Sequence, residues 1–178
     1  MLNFQRLILA LVTLFLMAGC ASVTPDDYSA EKPALELDRY FTGTIDAWGV
    51  FTDRQGKVVK RFTVVMRCTW NGDTGTLDED FSYSNGTKEK RIWTIKKQGA
   101  GRYSGTAADF VGAAVGIASG NALNWRYVLD LKVGDKSYHV NFDDWMYLID
   151  DDVMLNRAAM SKFGFYLGEV TLAFRKRK

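Results

Sequence analysis

Short turn-forming clusters recur along the chain after Tyr40, and they constrain the fold more than any other feature. The clusters occupy residues 53–56, 71–73, 84–86, 98–101, 134–135 and 150–152. Glycine and asparagine in such clusters tolerate the positive φ angles that tight hairpins require. The spacing therefore predicts a series of consecutive β-hairpins.

Between these clusters, apolar side chains alternate with polar ones. From 58 to 70, one parity is nearly all apolar, whereas Arg61, Thr63 and Arg67 lie on the other. Alternation with period two is typical of antiparallel strands that bury one face. Consecutive hairpins leave two exposed edges unless the sheet closes. We therefore predict an all-β, antiparallel up-and-down barrel of about 8–10 strands, with a β-sandwich as the alternative.

The composition fits one globular domain. Of the 178 residues, 47% are hydrophobic and 25% are charged. These values exclude a disordered chain, because disordered chains are poorer in apolar residues. The formal net charge is only +2, so no nucleic-acid partner is predicted.

The first twenty residues have the pattern of a secretory signal. Arg6 precedes an apolar run at 7–17, which is too short to span a bilayer because spanning takes about 20 residues. Residues 16–20 have the sequence Leu-Met-Ala-Gly-Cys, which resembles the lipobox of bacterial lipoproteins. That resemblance implies cleavage before Cys20 and acylation of its thiol and amine. It also implies outer-membrane sorting, because Ala21 rather than Asp follows the cysteine.

These observations predict three parts of the chain. Residues 1–19 form a lipoprotein signal peptide, 20–36 a lipid anchor and flexible tether, and 37–178 a single β-barrel domain. The tether is inferred because 21–34 has no apolar period and contains two prolines. We expect the protein in the envelope of a Gram-negative bacterium, at the outer membrane and facing the periplasm. Its expected membrane contact is the N-terminal anchor.

A run of small residues follows Val111. Gly112, Gly116 and Gly120 lie four residues apart, a spacing that also occurs in packed membrane helices. The run is too short to span a bilayer. A spacing of four residues also fits a strand, because alternate residues of a strand lie on one face. We therefore predict a strand with a bend near Gly120. Its glycine face would let a backbone, an aromatic ring or a ligand approach closely.

Several residue strings resemble a family of uncharacterised proteobacterial lipoproteins that is defined as a domain of unknown function. They are Gly-Asn-Ala-Leu at 120–123, Phe-Asp-Asp-Trp-Met at 142–146, Asn-Arg at 156–157 and Lys-Phe-Gly at 162–164. The resemblance covers nearly all of the predicted domain. It implies an acylated envelope protein with a lipocalin-like barrel, and it supplies no activity, substrate or catalytic residue.

Charged residues on apolar faces are the best candidates for a site. Glu79 shares its parity with Phe81, and Arg91 shares its parity with Trp93. A three-residue loop at 84–86 places Glu79 opposite Arg91. We expect these two side chains to pair, because a buried unpaired charge is costly. The pair is either an anchor for a ligand head group or an interior ion pair that fixes register.

A second group of candidates flanks the acidic turn at 150–152. A two-residue loop there places Asp144 opposite Arg157, and a three-residue loop places Trp145 opposite Arg157 instead. Asp144 has the parity of the apolar face and should point inward. Asp143 should point outward, which disfavours catalysis by a 143–144 carboxylate pair. The predicted ligand-binding residues are Glu79, Arg91, Asp144, Trp145, Asn156 and Arg157.

No catalytic residue, cofactor or metal site is predicted. His139 is the only histidine and lies on a polar face. Cys68 lies on an apolar face, where a thiol acts as a small hydrophobe. The acidic turn lacks the spacing of a calcium-binding loop.

Three functions fit these features. The leading hypothesis is a non-enzymatic envelope lipoprotein whose barrel binds a small apolar, amphipathic or lipid-like ligand. The second is a structural or assembly accessory of the outer membrane that binds a protein partner of unknown identity. The third is a hydrolase or isomerase on envelope lipid that uses Asp144, Arg157, Glu79 and Arg91.

Overall fold

The computed structural model describes residues 22–178, and the structural statements below concern that part of the chain. The predicted signal peptide at 1–19 and the predicted lipidation site, Cys20, lie outside the described residues. A 3₁₀ turn (Pro25–Tyr28) and a short helix, α1 (Leu37–Tyr40), precede ten strands. The strands are β1 (Gly43–Asp53), β2 (Val58–Asn71), β3 (Thr74–Tyr83), β4 (Lys88–Lys97), β5 (Arg102–Thr106), β6 (Ala114–Ser119), β7 (Ala122–Val133), β8 (Lys136–Leu148), β9 (Val153–Lys162) and β10 (Phe165–Lys176).

The ten strands form one closed antiparallel barrel. Each strand pairs with its neighbours in sequence, and β1 also pairs with β10, from Ile45 opposite Lys176 to Asp53 opposite Gly168. Closure removes the free edges that would otherwise expose unpaired backbone groups. The predicted all-β up-and-down barrel is therefore confirmed, and the alternative of a β-sandwich is wrong.

The barrel has two different ends. At the base, β1 begins and the connections 72–73, 98–101, 120–121 and 149–152 turn the chain. At the mouth lie the connections 54–57, 84–87, 107–113, 134–135 and 163–164. Helix α1 fills the base, where Leu37, Tyr40 and Phe41 are buried. The indole N–H of Trp70 donates to the carbonyl oxygen of Phe41 at 2.8 Å. This hydrogen bond fixes the end of helix α1 to the barrel wall.

The segment that precedes the barrel is packed against it. The Tyr28 ring lies 5.3 Å from the ring of Tyr147, and the Leu35 N–H donates to the Gly120 carbonyl at 2.8 Å. The prediction of a flexible tether therefore differs from the structure over 25–36. The physical reason is that the aromatic ring of Tyr28 and the apolar side chain of Leu35 find buried contacts on the barrel.

The small-residue run does not form one bent strand as predicted. Residues 114–119 of the run form the whole of β6, and a tight turn at 120–121 reverses the chain into β7. Gly116 pairs with Trp125, and a Cβ atom at 116 would lie 2.3 Å from Cε3 of that indole. The glycine face therefore points inward and accommodates an aromatic ring, one of the three approaches predicted for it.

We expect Gly116→Val to lower the free energy of unfolding by about 1–3 kcal/mol, because the new side chain overlaps the Trp125 ring. A urea-unfolding midpoint measures the change. Val115→Thr is the matched control, since Val115 is exposed on the outer wall and should shift stability by no more than about 0.5 kcal/mol. Equal midpoints for Gly116→Val and the wild type would contradict the packing described here.

Candidate functional site

The barrel encloses a cavity of about 150 Å³. A cavity of this size holds a benzene-sized group. Its wall is mostly aromatic and aliphatic, and its polar lining side chains come from two sides of the barrel. The lining includes Phe81, Tyr83, Trp93, Trp125, Tyr127 and Phe142 together with Glu79, Arg91, Asp144 and Asn156. Four of the six predicted ligand-binding residues therefore line one cavity.

Glu79 is the least compensated polar group of this cavity. It lies in β3 opposite Arg91, as the three-residue loop predicted, and it is only 8% exposed. Within residues 22–178 its carboxyl group makes no hydrogen bond and no ion pair within 4 Å. Burial raises the pKa of Glu79 to about 7, although the nearby Arg91 charge opposes the increase. The carboxyl group is thus available to a partner inside the cavity.

The expected ion pair between Glu79 and Arg91 is not formed. The Arg91 guanidinium instead donates to Asp109, with Nε 2.9 Å and Nη2 2.7 Å from the same carboxylate oxygen. It also lies 5.2 Å from the ring centroid of Phe81 and 5.1 Å from that of Phe110. Asp109 accepts hydrogen bonds from two nitrogen atoms of Arg91, and this contact also joins two parts of the barrel wall. Arg91 therefore binds Asp109 rather than Glu79, which lies directly opposite it.

The Arg91–Asp109 pair closes a seam in the barrel wall. Strands β5 and β6 are short, so the half of β4 nearer the mouth pairs with β3 on one side and has no strand on the other. The segment at 107–113 occupies that place and runs along β7, where Phe110 forms a β-bridge with Leu129. Because Arg91 lies on β4 and Asp109 on this segment, their contact joins the two sides of the seam.

Asp144 is the second buried carboxyl of the cavity. The turn after β8 is the three-residue alternative, so Trp145 lies opposite Arg157 and Met146 opposite Asn156. Asp144 points inward as predicted, and the Asn156 side-chain amide donates to it. Burial raises the pKa of Asp144 to about 7, the hydrogen bond from Asn156 lowers it, and the Asp143 charge adds to the increase.

Trp145 and Arg157 do not belong to the cavity, which corrects their assignment as ligand-binding residues. Adjacent residues of a strand point to opposite faces, so both side chains lie on the outer wall. The Trp145 ring stacks on Tyr147, 6.1 Å between centroids, and contacts Tyr28. The guanidinium of Arg157 bonds to Glu169. Both residues therefore have structural contacts outside the barrel.

Sequence reasoning missed three residues of the site. Tyr127 lines the cavity, stacks on Phe142 with 4.8 Å between ring centroids, and has a pKa raised by burial and by the Asp144 charge. Tyr127 has the same parity as the apolar residues of β7, and this pattern could have predicted its inward position. Phe110 stacks on Trp93 at 4.3 Å. Neither Phe110 nor Asp109 lies in a periodic segment, so no pattern indicated their inward position.

The remaining reactive side chains have structural environments. Burial raises the pKa of Cys68 to about 12, and the charge of Glu79 adds to the increase. His139 is exposed, with its Nε2 atom 3.7 Å from Asp130. Among the described residues, no cluster of histidine, cysteine or acidic side chains is placed to hold a metal ion. No helix at 22–178 is long and apolar enough to cross a membrane.

The two raised carboxyl pKa values predict a pH dependence of stability. Between the ordinary carboxyl range and pH 7, the folded protein binds more protons than the unfolded chain, so stability falls as pH rises. We expect a loss of about 5 kcal/mol from pH 5 to pH 8, roughly half of it from each carboxyl. Urea midpoints measured across this range test the expectation.

The double variant Glu79→Gln with Asp144→Asn should remove most of this slope and be more stable than the wild type at pH 8. Asp80→Asn is the matched control, because Asp80 lies on the same strand as Glu79 but faces outward beside Arg67. It should keep the wild-type slope between pH 5 and 8. A wild-type slope of zero would refute the buried, proton-binding state of both carboxyls.

The barrel is similar to one crystallised protein from Nostoc punctiforme. That protein belongs to the DUF3598 family, has unknown function, and superposes with a TM-score of 0.56 at 12% identity, over 83% of this chain and 51% of its own. The chain thus spans about half the length of that protein, and the likeness shows the fold alone. A de novo designed fluorescence-activating β-barrel superposes with a TM-score of 0.44 at 12% identity, over 80% of this chain and 99% of its own.

No curated protein matches the chain in sequence. A family match, by contrast, covers residues 14–176 and therefore the whole barrel. The chain belongs to the family described as protein of unknown function (DUF3833).

Proposed function

We propose that the barrel binds a small amphipathic ligand whose apolar part enters the cavity and whose polar head is cationic or neutral. The observation that carries this proposal is the Glu79 carboxyl, which is buried at the cavity wall without a hydrogen bond from the described residues. Buried polar groups almost always have a partner. A ligand donor supplies the partner that the chain does not.

The charges of the cavity determine which head groups fit. Asp109 neutralises Arg91, which is the only basic side chain of the lining. Glu79 and Asp144 then leave the interior negative whenever either ionises. A carboxylate or phosphate head would face repulsion there, whereas an ammonium or hydroxyl group can donate to Glu79. The aromatic rings nearby also favour a cation over an anion.

The size and lining of the cavity limit the apolar part. A volume of about 150 Å³ accommodates one aromatic ring or a short aliphatic chain. A larger ligand would have to displace aromatic side chains from the wall. The proposal therefore favours a ring-sized or single-chain molecule over a whole lipid.

We also propose that the protein acts as an envelope lipoprotein, acylated at Cys20 and held at the outer membrane on its periplasmic side. The support is the lipobox-like sequence at 16–20 that follows an apolar signal segment.

The enzyme alternative requires a cavity that joins both charged groups. The cavity does contain Glu79 and Asp144, but Arg157 lies outside it, so ligand binding is the better-supported function.

Three ring-matched probes test the head-group preference: benzylamine, benzyl alcohol and benzoate. At pH 8 we expect benzylamine to bind at least about tenfold more tightly than benzoate. Its affinity should fall about tenfold from pH 8 to pH 6, because Glu79 with a pKa of about 7 becomes protonated. Chemical-shift titrations of the protein measure all three affinities.

At pH 8, Glu79→Gln should weaken benzylamine binding about tenfold and reduce its pH dependence to the part that comes from Asp144, while benzyl alcohol binding changes by less than about twofold. Asp80→Asn, on the outer face of the same strand, is the control and should bind all three probes as the wild type does. Tighter binding of benzoate than of benzylamine would overturn the proposal, as would the absence of any saturable shift at the cavity residues.

Acylation is tested separately by fractionation of cells that express the full chain. Cys20→Ala should lose the fatty-acyl mass and move from the membrane fraction to the soluble fraction, because the chain then lacks its hydrophobic anchor. Ser22→Ala, two residues further on, is the control and should stay with the membrane. Retention of Cys20→Ala in the membrane at the wild-type level would contradict the anchor.

A further inference from the structure

Two hairpins at the mouth of the barrel expose large apolar side chains. The Phe163 side chain is 85% exposed and Phe165 is 75% exposed, at the tip of the β9–β10 hairpin. We call the exposed apolar residues of the β7–β8 and β9–β10 hairpins the mouth rim. The mouth rim consists of Leu131, Val133, Tyr138, Phe163, Phe165, Tyr166 and Leu167.

Phe163 occupies a backbone conformation that does not suit it. Residues 163 and 164 form a two-residue turn between Lys162 and Phe165, with φ angles of 51° and 80°. Such a turn favours Asn-Gly, and a bulky residue at positive φ is strained. The ring gains little burial in return. Strain of this kind points to a function beyond the stability of the folded chain.

Basic side chains flank the mouth rim, with one acidic residue, Asp135, in the turn of the β7–β8 hairpin. Lys132, Lys136 and Lys162 lie in the two hairpins, and no ion pair of the described residues includes any of the three. The Lys162 ammonium lies 4.6 Å from the ring centroid of Tyr138 and 5.2 Å from that of Phe163. Aromatic rings beside lysines suit the boundary between lipid head groups and acyl chains, where the ring is buried and the ammonium meets phosphate.

We propose that the mouth rim inserts into the surface of an anionic phospholipid bilayer. The two hairpin tips adjoin through Lys162 and Tyr138, and their exposed rings fit a deformable lipid surface better than the flat surface of a protein partner. The three lysines supply the charge complementarity, since each basic residue near an anionic membrane contributes to attraction. This surface is distinct from the cavity, and lipid contact there does not depend on the proposed ligand.

The mouth rim is continuous with the cavity. Leu129 lines the cavity, and Leu131 follows it on the same face of β7. A hydrophobic molecule leaving the bilayer would therefore meet apolar side chains along its path into the barrel.

The geometry also specifies which membrane the mouth rim meets. The 13 residues of β8 make the barrel about 30 Å tall, at about 3.3 Å per residue and a tilt of about 40°. The 3₁₀ turn that begins at Pro25 packs at the base, and the five residues from Cys20 to Pro25 extend at most about 17 Å. For a chain acylated at Cys20, a segment this short cannot bring the mouth of an inverted barrel to the anchoring membrane, so the proposed contact is with a second lipid surface.

Site-specific photo-crosslinking tests the proposal on the full chain. Benzoylphenylalanine is placed at Phe165 or, as the wall control, at Val115, which is 57% exposed on the outer wall. With vesicles of phosphatidylethanolamine and phosphatidylglycerol at 3:1, we expect at least fivefold more phospholipid adduct at 165 than at 115. Because both probe variants carry the same N-terminal segment, attachment through that segment cannot produce this difference.

Two variants of the 165 probe sharpen the result. Exchange of Lys132, Lys136 and Lys162 to glutamine should lower the adduct yield at least threefold. Phe163→Asn should also lower it at least threefold, although its urea midpoint should equal or exceed that of the parent, because asparagine suits the turn. A purely structural role for Phe163 predicts the opposite, a lower midpoint with an unchanged lipid adduct. Equal adduct yields at 165 and 115 would overturn the proposal, as would adducts at 165 formed with protein rather than phospholipid.

Discussion

Pairing of β1 with β10 is the interaction on which the rest of the structure depends. It turns ten hairpin-connected strands into a closed wall and gives every second side chain a place inside. A polar residue on the inward parity therefore loses its water whatever its chemistry. Glu79 and Asp144 are in this position, and their raised pKa values are the direct result. The electrostatics of the cavity follow from closure rather than from any separate motif.

The two buried carboxyls are compensated differently, which makes the cavity asymmetric. Asp144 receives a hydrogen bond from Asn156, whereas Arg91 binds Asp109 across the seam and leaves Glu79 opposite it without a partner. The seam explains this choice, because the segment at 107–113 needs an attachment to β4 where no strand is present. On the Asp144 side of the cavity, the protein itself supplies the hydrogen-bond donor. On the Glu79 side, the carboxyl group is suited to a donor from a ligand.

Loop length decided which parts of this arrangement the sequence could predict. A three-residue loop pairs residues of equal parity, so the opposition of Glu79 and Arg91 followed from the turn at 84–86. At 150–152 both loop lengths were open, and only the structure selected Asn156 over Arg157 as the inward residue. At 120–121 a two-residue turn switches the inward parity, which is why Gly116, and not Val115, faces Trp125. Asp109 lies in a segment without any period, so pattern analysis could not place it beside Arg91.

The central claim is that Glu79 is a buried carboxyl held ready for a cationic or neutral donor. A pH titration of its side-chain carboxyl carbon by NMR, assigned by comparison with Glu79→Gln, tests this claim most directly. We expect a pKa near 7 in the free protein and a decrease of at least about one unit when benzylamine is bound, since an ammonium beside the carboxylate stabilises its charged form. A pKa near its ordinary value in the free protein, or one that benzylamine leaves unchanged, would contradict the account.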